Sequence, residues 1–68
     1  MKPNGVAIRA LRTANACGLR ELARRTGLSR PYLSRLERGT RGATPETVRL
    51  IARALNVPPE ALTSEDLK

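Results

Sequence analysis

At 68 residues, with a formal net charge of +7, one Cys and no His, Trp or Phe, the chain has room for a single domain, 1–68, and little beyond its own core. The lone Cys17 excludes an intramolecular disulfide and leaves no partner ligands for a metal, and no nucleophile has a base beside it, so no cofactor, metal or catalytic role is expected. No apolar run nears the about 18 residues of a membrane span, and Met1-Lys2-Pro3 lacks an apolar signal core, so the expected location is the cytoplasm, on the nucleoid, with no membrane partner.

Ala, Leu and Arg are abundant and favour helix, whereas Val and Ile are few, so the class expected is all-α. Four main helices and a short fifth are predicted. Helix 1 runs from about Asn4 to Ala16, with Ile8, Leu11 and Asn15 on one stripe and Gly18 as the break. Helix 2 covers about Leu19 to Thr26. Leu19, Leu22 and Ala23 share its inner face, Arg20, Arg24 and Arg25 lie away from it, and Gly27 supplies a left-handed end. Ser29 then caps helix 3, about Arg30 to Arg38, with Pro31 in the first turn and Gly39 at the close. Thr40 to Ala43 reads as a loop. Helix 4 opens on Thr44, Pro45 and Glu46. Val48, Ile51, Ala52 and Leu55 follow at helical spacing, with Asn56 at the C-cap. Pro58 to Leu62 starts the last short helix, and Thr63 to Lys68 is a polar tail.

Two charges fall on apolar faces. At about 100° per residue, Arg12 lies near Ile8 and Glu37 near Leu33. An unpaired buried charge is expensive, and these two have opposite signs. They are predicted to pair and tie helix 1 to helix 3; two independent half-exposed charges are the alternative.

The charge is uneven along the chain. Residues 1–42 carry ten basic side chains against two acidic, and residues 43–68 carry three against four. Concentrated basic charge suits a polyanion, although a solvated surface would look similar. Residues 19–38 form a short helix, a tight turn at Gly27 and a second short helix. Leu22, Leu28, Leu33 and Leu36 fill the angle between them. On helix 3, Arg30, Pro31, Ser34, Arg35 and Arg38 occupy one arc, opposite Leu33, Leu36 and Glu37. Arg in such an arc can donate two parallel hydrogen bonds to guanine in the major groove. Tyr32 stands at the border, with a ring for packing and a hydroxyl for a phosphate.

The stretch Leu22-Ala23-Arg24-Arg25-Thr26-Gly27-Leu28-Ser29-Arg30-Pro31-Tyr32-Leu33-Ser34-Arg35-Leu36-Glu37-Arg38-Gly39 resembles the Cro and lambda-repressor-like, or XRE-type, helix-turn-helix family. Ile8 to Arg12 is similar to that family's first helix, Thr47 to Val57 to its fourth and Pro58 to Leu62 to its fifth. The likeness covers about Val6 to Leu62. It implies a compact five-helix lambda-repressor-like DNA-binding domain with helix 3 as the recognition helix. Carried over by position, Arg30, Pro31, Tyr32, Ser34 and Arg35 face base edges or their surroundings, and Arg38 and Arg41 meet phosphates. The family often pairs an Arg at Arg12 with a Glu at Glu37. There is one departure. A polar pair that often opens helix 2 and grips a phosphate is replaced here by Gly18 and Leu19, which leaves that contact to Arg20 or to backbone amides.

The resulting expectation is a transcriptional regulator, with repression the simpler mode, that binds double-stranded DNA. A homodimer on an inverted repeat is expected, because one small reader covers too few base pairs. The less basic part, around Asn56 to Leu67, is the expected dimer surface. Leu50 lies off the core stripe and would pack under helix 5 or join that surface. A protein partner is the other expectation, either polymerase or, if the chain is an antitoxin that autorepresses its operon, a toxin. RNA recognition by stacking is disfavoured by the single aromatic residue.

Overall fold

The computed structural model describes residues 3–63. It contains α1 (Gly5–Ala14), α2 (Leu19–Thr26), α3 (Arg30–Arg38), α4 (Pro45–Leu55) and a closing 3₁₀ turn, Pro59–Leu62. Among the described residues there is no strand, only an isolated antiparallel bridge between Pro3 and Thr63. The all-α class is as expected, but the fifth helix is a correction. Pro58 and Pro59 bring no N–H, and after four residues Thr63 is already extended at φ −118 and ψ 156, so only a 3₁₀ turn closes. The polar tail beyond Thr63 lies outside the described residues.

The start and stop signals of α2, α3 and α4 act as read from the sequence. Gly27 and Gly39 take φ of +77 and +78 at the ends of α2 and α3. Ser29 accepts from the Tyr32 amide at 3.2 Å and Thr44 from the Thr47 amide at 3.2 Å, each satisfying a donor that the first turn leaves open. Asn56 ends α4 in the left-handed region at φ 59.

The end of α1 is a second correction. The helix stops at Ala14, and the left-handed residue after it is Ala16, at φ 53. Gly18 is extended at φ −69 and begins α2 instead. Burial of Cys17 explains the early stop. Its amide returns to the Arg12 carbonyl at 2.9 Å while its side chain enters the core, so the chain must reverse just before it. An L-residue in that conformation is strained and a glycine is not. Ala16→Gly is therefore expected to stabilise the protein by about 0.5–1 kcal/mol, seen as a raised midpoint in urea unfolding.

The core is aliphatic. Ile8 comes from α1, Leu22 from α2, Leu33 and Leu36 from α3, and Val48, Ile51, Ala52 and Leu55 from α4. Cys17 and Leu62 complete it, and all ten are buried. Leu11, Leu19, Ala23, Leu28 and Tyr32 pack around this centre. α3 is held on one side by α1 and on the other by α2, while α4 supports α2 and the closing turn.

Gly5 marks the tightest approach. A Cβ there would meet the backbone carbonyl oxygens of Leu36 and Glu37, so the first turn of α1 lies directly on the last turn of α3. Backbone cannot swing aside as a side chain can. Gly5→Ala is expected to cost about 1–3 kcal/mol in urea unfolding, despite the better helix propensity of Ala.

Candidate nucleic-acid interface

Packing of Leu33 and Leu36 inward decides what α3 presents outward. Arg30, Pro31, Arg35 and Arg38 are exposed and Ser34 is half-buried. At 100° per residue these five span an arc of about 140°. The structure thus brings them together as the sequence indicated. Ser34 is already engaged: its Oγ accepts from Arg38 Nη1 at 3.0 Å, which lays the Arg38 side chain back along the helix. The Ser34 hydroxyl hydrogen stays available to an outside acceptor.

The opposite side of α3 is anchored by the pair foreseen from the helical wheel. Arg12 Nε donates to Glu37 Oε2 at 2.7 Å and Arg12 Nη2 to Oε1 at 3.1 Å. The remaining Nη1 donates to the Cys17 carbonyl at 3.0 Å. The side chains are only 15% and 9% exposed. The bond to Glu37 raises the Arg12 pKa above its ordinary value against the opposing effect of burial, so the guanidinium stays charged. Arg12 therefore joins α1, the loop before α2, and the last turn of α3.

The turn between α2 and α3 is organised by a buried hydroxyl. Thr26 Oγ1 donates to the Leu22 carbonyl at 2.8 Å and accepts from the Leu28 amide at 3.2 Å. With Gly27 left-handed between them, this reverses the chain in three residues and sets the angle at which α3 leaves α2.

The basic residues of α2 divide into two groups. Glu21 pairs with Arg24 at 2.6 Å and with Arg25 at 2.8 Å. Arg24 first and Arg25 next hold its carboxyl below the usual range. Arg25 also donates to the Ala54 carbonyl at 3.2 Å, which ties α2 to α4. Arg20 is exposed and has no acidic partner among the described residues. It stands in the first turn of a helix whose N-cap, Gly18, has no side-chain cap, so amides there remain open as well.

The loop after α3 carries contacts that sequence periodicity did not show. Thr40 returns to the Arg35 carbonyl through its amide at 3.0 Å and its hydroxyl at 3.3 Å. The Tyr32 hydroxyl donates to the Gly42 carbonyl at 3.4 Å, and the Arg41 guanidinium lies 5.3 Å from the Tyr32 ring centroid. A loop has no repeat from which such contacts can be read. The only advance signal was the position of Tyr32 at the border of the outward arc.

Among the described residues, none of Arg20, Arg30, Arg35, Arg38 and Arg41 pairs with a carboxylate. Among the described residues no carboxylate neutralises their positive potential. Leu50 is 36% exposed beside Glu46, Arg49 and Arg53, and is not among the side chains packed on the core. No group of side chains suited to a metal occurs among the described residues, and no described helix is long and apolar enough to cross a membrane.

Residues 8–62 match the helix-turn-helix family. An uncharacterized HTH-type transcriptional regulator of Mycobacterium tuberculosis is 43% identical over 58 residues, which is 85% of this chain but 41% of that protein. The chain thus spans less than half the length of that relative. The restriction-modification controller protein C.AhdI from Aeromonas hydrophila superposes with a TM-score of 0.81 at 35% identity, over 84% of this chain and 86% of its own. The biofilm regulator SinR, solved in complex with DNA, superposes with a TM-score of 0.78 at 26% identity, over 82% of this chain and 90% of its own. The family match over residues 8–62 and the shared architecture agree, and the chain belongs to the helix-turn-helix family, in its Cro and lambda-repressor-like form.

Proposed function

We propose that this chain is a sequence-specific regulator of transcription that sets α3 in the major groove of duplex DNA. The observation that carries this reading is the outward arc of α3, whose three arginines are exposed and have no carboxylate partner among the described residues. In this reading Arg30 and Arg35 read base edges, Pro31 and Ser34 lie between them, and Tyr32 borders the arc. Arg20, Arg38 and Arg41 meet phosphates on either side. The likeness to C.AhdI and to SinR solved with DNA supports the assignment. No catalytic step belongs to it.

The chain acts as a homodimer on an inverted repeat, and it represses by occupying the site. Two half-sites about one helical turn apart give the discrimination that one small domain lacks. The described part of the proposed dimer surface, Asn56 to Thr63, exposes Asn56, Pro58, Glu60 and Ala61. Residues 64–67 of that surface lie outside the described residues. Selection of bound duplexes from a random library at about 150 mM salt tests the reading. Enrichment of an inverted repeat, with two chains per duplex in ultracentrifugation, is the expected result. Enrichment of nothing would overturn sequence-specific recognition, and one chain per duplex would overturn the dimer.

A further inference from the structure

In the proposed complex Arg41 meets a phosphate and Tyr32 stands at the edge of the base-reading arc. Their side chains are not independent. The Arg41 guanidinium stacks over the Tyr32 ring at 5.3 Å, within the range of a cation–π contact. The Tyr32 hydroxyl donates to the carbonyl of Gly42, the residue after Arg41. Thr40, the residue before Arg41, is tied to the Arg35 carbonyl. Arg41 is therefore bracketed on both sides, and its long side chain lies against a flat, half-buried ring that itself packs on the core.

We propose that Tyr32 is a positioning residue, which acts on DNA through Arg41 by holding its guanidinium ready for the phosphate backbone, and does not itself read a base. The inference rests on the proposed DNA-binding function. Its physical basis is preorganisation. A free arginine gives up rotamer freedom when it meets a phosphate, whereas one already stacked has less to lose. Stacking leaves the edge N–H groups of the guanidinium unused, and those are the groups that a phosphate accepts from. The ring face and hydroxyl of Tyr32 are both occupied by the loop, which leaves little of the side chain for a base edge.

The test uses the full chain with a labelled mixed-sequence duplex, on which phosphate contacts dominate, and compares wild type with Arg41→Gln, Tyr32→Leu, Tyr32→Phe and Tyr32→Leu/Arg41→Gln across a salt series. Arg41→Gln is expected to reduce the log–log salt slope by about 0.9, the value of one phosphate contact. Tyr32→Leu is expected to lower affinity at each salt concentration while leaving most of that slope. Tyr32→Phe, which keeps the ring and loses only the hydrogen bond to Gly42, is expected to bind more tightly than Tyr32→Leu and controls for a folding defect in the leucine variant. The double variant should bind no more weakly than Arg41→Gln alone.

Effects of Tyr32→Leu and Arg41→Gln that multiply in the double variant would overturn the proposal, because Tyr32 would then act without Arg41. So would a changed base preference for Tyr32→Phe or Tyr32→Leu in a library selection. Failure of the wild-type chain to bind any duplex would instead remove the functional reading itself, and this inference with it.

Discussion

Arg12→Ala is expected to lower the unfolding free energy by about 3 kcal/mol in urea denaturation, the lower end of the about 3–5 kcal/mol typical for removing one member of a buried pair. The substitution leaves the Glu37 carboxylate without its two Arg12 donors and the Cys17 carbonyl without Arg12 Nη1, in a site where the pair is 15% and 9% exposed. Residual water access places the cost at the lower end. For a chain of 68 residues the whole stability is about 3–10 kcal/mol, so the loss takes from about a third to nearly all of it. The double variant Arg12→Met/Glu37→Leu is expected to recover most of the loss, since apolar replacement of both partners removes the stranded charge. A loss below 1 kcal/mol for Arg12→Ala, or no recovery in the double variant, would show that the pair is not the anchor described. The pair lies on the side of α3 away from the outward arc, so any folded fraction should keep its base preference.

Arg30→Ala/Arg35→Ala should remove much of the discrimination between specific and mixed-sequence DNA while leaving the fold intact. Both side chains are exposed and neither is paired among the described residues, so their removal exposes no buried partner. Each bidentate contact to guanine is worth about 1–3 kcal/mol, which makes the pair of substitutions worth about 2–6 kcal/mol of specific binding. That approaches the whole specific advantage of a small reader, about 4–10 kcal/mol. Competition between the selected duplex and a scrambled one reads the effect directly. If both arginines contacted only phosphates, the variant would lose affinity for the two duplexes equally and keep its preference, and the base-reading assignment would fail.

Much of this architecture was legible before any coordinates. Gly27, Ser29, Gly39 and Thr44-Pro45 are start and stop residues whose backbone needs are nearly unique, and they set the limits of α2, α3 and α4. The Arg12–Glu37 pair was legible because a helix fixes direction: two charges facing a core must find each other or something else. The end of α1 was not, because Ala16 gives no sign of a left-handed backbone and Gly18, the residue type suited to one, is extended. Nor was the role of Gly5. A glycine early in a helix lowers propensity, and that cost was the one available hint of backbone contact with α3. The arc of α3 could be read from its period, but the Arg41–Tyr32 stack and the Arg25–Ala54 bond involve loop or end geometry that no period encodes.

The bridge between Pro3 and Thr63 has a dynamic counterpart. The Asn4 amide donates to the Leu62 carbonyl at 2.7 Å, and Leu62 is fully buried beside α1. The two edges of the described chain are thus closed on one another like a clasp, and neither can peel away alone. Amide hydrogen exchange should report residues 4–8 and 57–63 opening as one cooperative unit, with a shared opening free energy in place of two fraying ends. That unit includes Gly5, which rests on α3, so an opening of the clasp also loosens the support beneath the last turn of the recognition helix.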